Sequence, residues 1–310
     1  MEIDLIYLWV DGNDPQWLAQ RRKFFGEETS SDETNCKGRY ANNDELKYSL
    51  RSVEKYLPWI RKVFIVTDNQ TPDWIDTSHP KIEIIDHKEI LPPEALPCYN
   101  SSVLEYFLYK IPDLSEHFLF ANDDMFVAAH LSPDFFFSED GYPFIRLRNK
   151  WGWKWFYSLR VLLGIKIGHY RKLVYTSMCL VKEKFGKSYT SIPHHNIDAY
   201  TKSDYQCAIQ EIFKGQMENS LPHRVRTDGD LHRSAFGYYM IAIGHGHLKH
   251  VKKREACRIS VQRSDFMKYI TRYQPKLFCL NDTQHATEKD RERIVPFLET
   301  LFPVKSAFEK

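Results

Sequence analysis

The sequence predicts a doubly wound α/β sheet, and three observations predict it. Four short apolar runs with β-branched and aromatic content each end in a polar or acidic residue. Helical segments with recognisable starts lie between them. The chain has 310 residues, 43% of them hydrophobic, enough to bury a core on both faces of such a sheet without a disulfide or metal to hold it.

The first run, residues 3–10, ends at Asp11-Gly12; residues 63–67 end at Asp68; residues 82–85 end at Asp86-His87; residues 118–121 end at Asn122-Asp123-Asp124. Runs this short and continuous read as strands buried on both faces, as in a parallel sheet. Asp14-Pro15 opens one helix, a capping residue followed by proline at the first helical position. Asn43-Asp44-Glu45 opens another, running to about Tyr56, with Leu46, Leu50 and Val53 on one face. A third follows Asn100-Ser101-Ser102 and carries Val103, Leu104, Phe107 and Leu108 before Pro112 interrupts. Ligands of such sheets bind beyond the carboxyl ends of the strands, where Asp11, Asp68, Asp86 and Asp123-Asp124 would converge. Asp68 and Asp86 taken alone read as turn chemistry. The adjacent carboxylates Asp123 and Asp124 repel each other unless a cation lies between them, so a metal site is expected there, and oxygen ligands favour Mg²⁺ or Mn²⁺.

Residues 150–172 differ in texture. Trp151, Trp153, Trp155, Phe156 and Tyr157 interleave with Lys154, Arg160, Lys166, Arg171 and Lys172. This basic aromatic insertion reads equally as a surface for an anionic membrane, a lid over a sugar or lipid-linked substrate, or a buried structural helix with snorkelling basic residues. Residues 182–310 are punctuated by Pro193-His194-His195, Thr227-Asp228-Gly229-Asp230 and Leu280-Asn281-Asp282, with a long helix expected after Glu288. The whole reads as one catalytic domain, 1–310.

Composition excludes several functions. Lys+Arg 43 against Asp+Glu 41 lacks the basic excess of a nucleic-acid binder. Six dispersed cysteines match neither a zinc ribbon nor a secreted disulfide framework. With no signal-peptide pattern and no apolar stretch approaching about twenty residues, the chain is expected to be soluble and cytoplasmic. There is no G-x-S-x-G elbow, P-loop or G-x-G-x-x-G fingerprint, so a serine hydrolase, a P-loop enzyme and a dinucleotide oxidoreductase lose support. What remains suits phosphate: Asp123-Asp124 for a cation, Arg226 for oxygens held in a fork, and His195 as a base near neutrality.

At these residues the chain resembles the Stealth family of hexose-1-phosphate transferases. Residues 3–14, Ile-Asp-Leu-Ile-Tyr-Leu-Trp-Val-Asp-Gly-Asn-Asp, are similar to its first block, although Leu8 stands where members often carry threonine. Residues 39–52, 58–61 and 64–67, closing with Asn122-Asp123-Asp124, are similar to the second; residues 193–198 with His223-Arg224-Val225-Arg226 and Asp230 to the third; Cys279-Leu280-Asn281-Asp282 with Leu301-Phe302-Pro303 to the fourth. The insertion 150–172 has no counterpart in these blocks.

The resemblance implies a Rossmann-like, GT-A-related, mostly parallel sheet flanked by helices, a UDP-sugar donor, Mg²⁺ or Mn²⁺, and transfer of the sugar with its phosphate to a glycan or polysaccharide acceptor. It implies catalysis by His195, Arg226 and Asp124, and a cation held by Asp123, Asp124, Asp282 and Asn281. Asp11, Gly12, Arg39, Asn43, Arg51, Asn100, His194 and Asp230 are expected to bind substrate. For Arg39 and Arg51 an ion pair with Asp44 or Glu45 is an equal alternative; Asn43 reads also as a helix cap, and His194 as a residue that only satisfies backbone groups. The expected setting is capsular or cell-surface polysaccharide synthesis, with peripheral contact at the inner face of the membrane and self-association left open. A metal-dependent glycosyltransferase releasing UDP, and a non-catalytic glycan-binding protein, are the competing readings.

Overall fold

A computed structural model gives the fold and describes residues 1–25 and 36–310. Strands β1 (Ile3–Leu8), β2 (Val63–Thr67), β3 (Ile82–Asp86) and β4 (His117–Asn122) are parallel neighbours in the order β3-β2-β1-β4. Further along run β5 (Met125–Val127), β6 (Phe144–Arg148), β7 (Ile192–Pro193) and β8 (Asp198–Thr201). Strand β8 joins β4 antiparallel and completes a five-stranded sheet. The later β9 (His247–His250), β10 (Ala256–Ser260) and β11 (Leu277–Asn281) build two three-stranded sheets, β10-β11-β5 and β7-β6-β9.

Every residue of β1 and β2 is buried, as their unbroken apolar character requires. Side chains alternate between faces. Ile3, Leu5 and Tyr7 of β1 pack with Leu46, Leu50 and Val53 of helix α2 (Glu45–Tyr56), which follows α1 (Pro15–Phe25). On the other face Ile6 and Leu8 pack with Val103 and Leu104 of α4 (Ser101–Tyr106), which follows α3 (His87–Ile90). Polar ties fix the layers: the Tyr7 and Ser49 hydroxyls lie 2.7 Å apart, and Ser49 donates to the Met125 carbonyl at 2.5 Å, joining β1, α2 and β5.

Helix starts follow local chemistry. Asp14 accepts from the Gln16 amide at 2.8 Å ahead of Pro15, and Asn100 accepts from the Ser102 amide at 3.0 Å. The insertion forms α5 (Trp153–Leu162), without a buried residue, followed by α6 (His169–Phe185). It is therefore not a buried structural helix.

Four further helices precede the carboxyl-terminal pair: α7 (Lys202–Cys207), α8 (Lys214–Ser220), α9 (Ser234–Ile243) and α10 (Phe266–Tyr273). The long helix expected after Glu288 is two short ones, α11 (Glu288–Arg291) and α12 (Ile294–Leu301). Pro296 is the reason: deep in one continuous helix its missing N–H would leave a carbonyl unpaired and its ring would clash with the preceding turn, whereas in the first turn of α12 no intrahelical donor is needed and no turn precedes it. No helix among the described residues is long and apolar enough to cross a membrane.

Candidate active site

The chain leaves β1 toward β2 and β3 on one side and returns to β4 on the other, so the sheet's switch point lies between β1 and β4. Register sets Leu8 opposite both Val66 and Asn122, which brings the loops after β1 and β4 to one end of the sheet. A cleft opens there. Of the residues singled out from sequence, it brings together Arg39, Asp123, Asp124, His195, Arg226, Asn281 and Asp282.

The acidic side of the cleft comes from the turn between β4 and β5. Strand β5 pairs antiparallel with β11, and the Leu280 amide donates to the Asp124 carbonyl at 2.9 Å, so the turn is held against the end of β11. Burial, followed by the charges of Glu45 and Asp124, pushes the Asp123 carboxyl well above the usual carboxylate range. Burial pushes Glu45 up to about 7, against hydrogen bonds from the Asn43 amide and side chain. Burial likewise pushes Asp124 up to about 6, against a hydrogen bond from the Cys279 thiol at 3.1 Å. Three buried carboxyls that resist ionisation line this side of the cleft, and ionised oxygens there would favour a divalent cation. The enclosed Oδ1 of Asp124 has no hydrogen-bond partner, and ligand atoms of Asp124, His195 and Cys279 lie within 4.8 Å of one another. The residues present therefore fit a divalent metal ion. The Cys279 thiol, pushed far up by burial and Asp124, is the weak member of that group.

His195 stands opposite on the segment leading into β8, in the left-handed region at φ 59°. Its neighbours hold it there: His194 Nε2 donates to Asp198 at 3.1 Å, and buried Asn196 donates to the Cys257 carbonyl at 3.1 Å. A left-handed non-glycine residue costs about 1 kcal/mol and persists only where its surroundings impose it. Burial, then the charges of Arg233, Arg258 and Arg39, push the imidazole down to about 3, so it is neutral at pH 7.

Arg226 lies on the loop 223–230. Its Nε and Nη2 donate to Ser101 Oγ at 3.0 and 2.5 Å, and burial followed by Arg39 lowers it to about 10, leaving it cationic at neutrality. The loop is tied down beneath it. Buried Asp230 accepts from His223 Nδ1 at 2.6 Å, from Asn100 Nδ2 at 2.8 Å and from the Thr227 amide at 2.9 Å. Asn100 Nδ2 also donates to the His223 and Val225 carbonyls, each at 3.2 Å. Asn100 and Asp230, expected to touch substrate, lie outside the cleft lining and hold the Arg226 loop.

Other expectations are redirected. Arg51 pairs with neither Asp44 nor Glu45; it is buried and bonded to Glu309 and Glu299, away from the cleft. Asn43 does not cap α2 but holds Glu45. His194 lies behind the lining, on Asp198. Asp282 borders the cleft, and Arg291 grips its carboxylate at 2.7 and 3.2 Å. Asn281 also borders the cleft and donates to the Asp282 carbonyl at 3.1 Å. Asp11 and Gly12 stand outside the lining, where a Cβ on Gly12 would meet the Tyr40 carbonyl oxygen at 1.9 Å. Only glycine lets that loop cross so near.

Several residues in or beside the cleft escaped the sequence reading. Trp17, Tyr40 and Tyr99 form an aromatic wall, with Trp17 5.4 Å from each of the other two. Their positions, far apart in sequence, carried no signal. Glu45 stood in the Asn43-Asp44-Glu45 triplet and Cys279 in the fourth block, where each was in plain view without an assigned role. Arg233, bonded to Glu105 at 3.1 Å and Asp198 at 3.3 Å, keeps a positive charge beside His195, which no spacing foretold.

Fold and site together place buried carboxyls, an arginine and a neutral histidine around one cleft of an α/β sheet. Profiles of Stealth proteins match the chain three times: conserved region 1 over residues 1–26, conserved region 2 over 39–145 and conserved region 4 over 268–310. The capsular polysaccharide phosphotransferase cps12A of Actinobacillus pleuropneumoniae is 31% identical over 97% of this chain and 82% of its own. WcwK, a capsular polysaccharide phosphotransferase of Streptococcus pneumoniae, is 28% identical over 99% of both chains. The exopolysaccharide phosphotransferase SCO6023 of Streptomyces coelicolor is 32% identical over 99% of this chain, which spans 52% of that longer protein. Among solved structures, the galactosyltransferase LgtC in complex with donor and acceptor sugar analogues overlaps 98% of both chains at TM-score 0.46 and 12% identity. The chain belongs to the Stealth family, and it is a phosphotransferase.

Proposed function

We propose that the protein transfers a sugar 1-phosphate, such as N-acetylglucosamine 1-phosphate, from a UDP-sugar to a hydroxyl of a glycan acceptor in capsular or cell-surface polysaccharide synthesis. The convergence of Arg226, neutral His195 and the Asp123-Asp124 pair on one cleft carries this reading. The acceptor oxygen forms a bond to the phosphorus bearing the sugar, the bond from that phosphorus to the bridging oxygen breaks, and UMP leaves. His195 takes the acceptor proton on its unprotonated ring nitrogen; the negative charge of a bound donor raises the basicity that burial depresses. Arg226, steadied by Ser101, holds oxygens of the transferred phosphoryl group. The wall of Trp17, Tyr40 and Tyr99 offers faces for the uracil or the sugar.

Asp124 and Asp123, with Glu45 beside them, would hold Mg²⁺ or Mn²⁺, which when bound neutralises charge on pyrophosphate oxygens. Arg39 borders the same cleft and is assigned to donor phosphate, with Asp11 and Gly12 shaping the loop behind it. The reading sets the reaction in the cytoplasm, at the inner face of the cell membrane.

The test is a panel of UDP-sugars incubated with protein, Mg²⁺ and candidate glycans. A phosphodiester resonance in the phosphorus NMR spectrum together with UMP supports the proposal. Release of UDP in its place assigns an ordinary glycosyltransferase.

A further inference from the structure

We infer that residues 150–172 form a docking surface for an anionic lipid bilayer at the rim of the cleft. Helix α5 is fixed to the protein by one side only. Tyr157 stacks on Tyr175 of α6 with ring centroids 4.0 Å apart, and Trp153 lies 6.2 Å from the same ring. The other side presents Trp151, 94% exposed, Trp155, 63% exposed, and Leu162, 81% exposed. Trp155 and Leu162, seven residues apart, lie on one apolar face of α5 toward solvent, with Trp151 in the turn just ahead of the helix. Such a stripe is the reverse of what a water-facing helix shows.

Charge names the occupant. Arg160, Lys166 and Arg171 are exposed around the stripe, and no Asp or Glu stands between Asp140 and Glu183. Large apolar side chains set in uncompensated positive charge match the interface of an anionic bilayer. A second copy of the same face would bring like charges together and is disfavoured. The surface also adjoins the chemistry. The Tyr170 ring lies edge-on to His195 at 6.1 Å, and His169 Nδ1 donates to Asp228, two residues beyond Arg226, at 2.8 Å. Docking would therefore bring the cleft to the bilayer, where an acceptor glycan carried on lipid meets it; this last step rests on the reaction proposed above.

Vesicle co-sedimentation tests the surface, using phosphatidylglycerol–phosphatidylethanolamine vesicles against vesicles of phosphatidylcholine alone. The wild-type protein should pellet with the anionic vesicles, much less at high salt, and not with the neutral ones. The pair Trp155→Ser with Leu162→Ser, and separately Arg160→Glu with Lys166→Glu, should each lower partitioning about tenfold or more at unchanged thermal melting. Equal binding to both vesicle types, no binding, or a solution dimer that the same substitutions dissociate would overturn the inference. Vesicle binding is read without donor and nucleotide release without vesicles, so either reading can fail alone.

Discussion

Replacing Arg51 by Ala separates a structural role from the substrate-binding role expected of it. The guanidinium lies in a nearly closed site: Nε and Nη2 donate to the two Glu309 oxygens at 2.7 and 2.9 Å, and Nη1 donates to the Phe302 carbonyl at 2.8 Å and to Glu299 at 3.1 Å. The Arg51 and Glu309 side chains are 5% and 2% exposed, whereas Glu299 is 50% exposed. Burial pushes the Glu309 carboxyl up, but the Arg51 hydrogen bonds outweigh it and hold the group below the usual carboxylate range. Without Arg51 that charge keeps only its Ser306 contacts, at 2.8 and 3.2 Å. Stranding a buried carboxylate costs about 3–5 kcal/mol, while loss of the half-exposed Glu299 pair costs at most about 1 kcal/mol. Urea titration should show Arg51→Ala lowering the midpoint at unchanged slope, Glu299→Ala barely moving it, and Arg51→Met with Glu309→Leu costing less than Arg51→Ala. KM for the donor should stay unchanged in all three. An Arg51→Ala protein of near-normal stability with a tenfold higher donor KM would return this residue to phosphate binding and refute the structural argument.

Four more outcomes are expected. His195→Ala should abolish turnover while calorimetry shows donor binding nearly intact; wild-type rates would reject it as the base. Arg226→Lys keeps the charge but loses the planar fork, so kcat should fall about a hundredfold or more, and an unchanged kcat with raised KM would reduce the residue to ground-state binding. Mn²⁺ should raise the thermal stability of the wild-type protein, by about 2.7 kcal/mol at a hundred times its Kd, and not that of Asp124→Asn; no stabilisation of the wild type removes the cation from the mechanism. Burial pushes His87 down to about 4 from an ordinary 6.5, so its contribution to stability is present above pH 6.5 and lost as pH falls toward 4. Relative to His87→Gln the wild-type protein should lose up to about 1.4 kcal/mol per pH unit through that window, and a pH-independent difference would contradict the assignment.

The family resemblance led to the cleft, and the structure sorted its members. Asp123, Asp124, His195 and Arg226 were legible because each sits in a compact motif whose chemistry is local. Asn100 and Asp230 were legible as motif members but not as supports, since their role is defined by bonds across more than a hundred residues of chain. Asp282 was legible as a member of the fourth block, but nothing in Asn281-Asp282 says that Arg291, nine residues on, will fold back onto the carboxylate.

By itself the sequence determined the parallel strands, their polar ends and the helices between them, because apolar runs, caps and prolines act over a few residues. It could not set Arg51 on Glu309, split the aromatic residues of α5 into Trp153 and Tyr157 facing inward and Trp155 and Phe156 facing out, or raise Glu45 and Asp123 together. Those outcomes depend on which groups meet after the sheet closes and on how much water the packing removes from around them. Charge, unlike periodicity, takes its meaning from that enclosure.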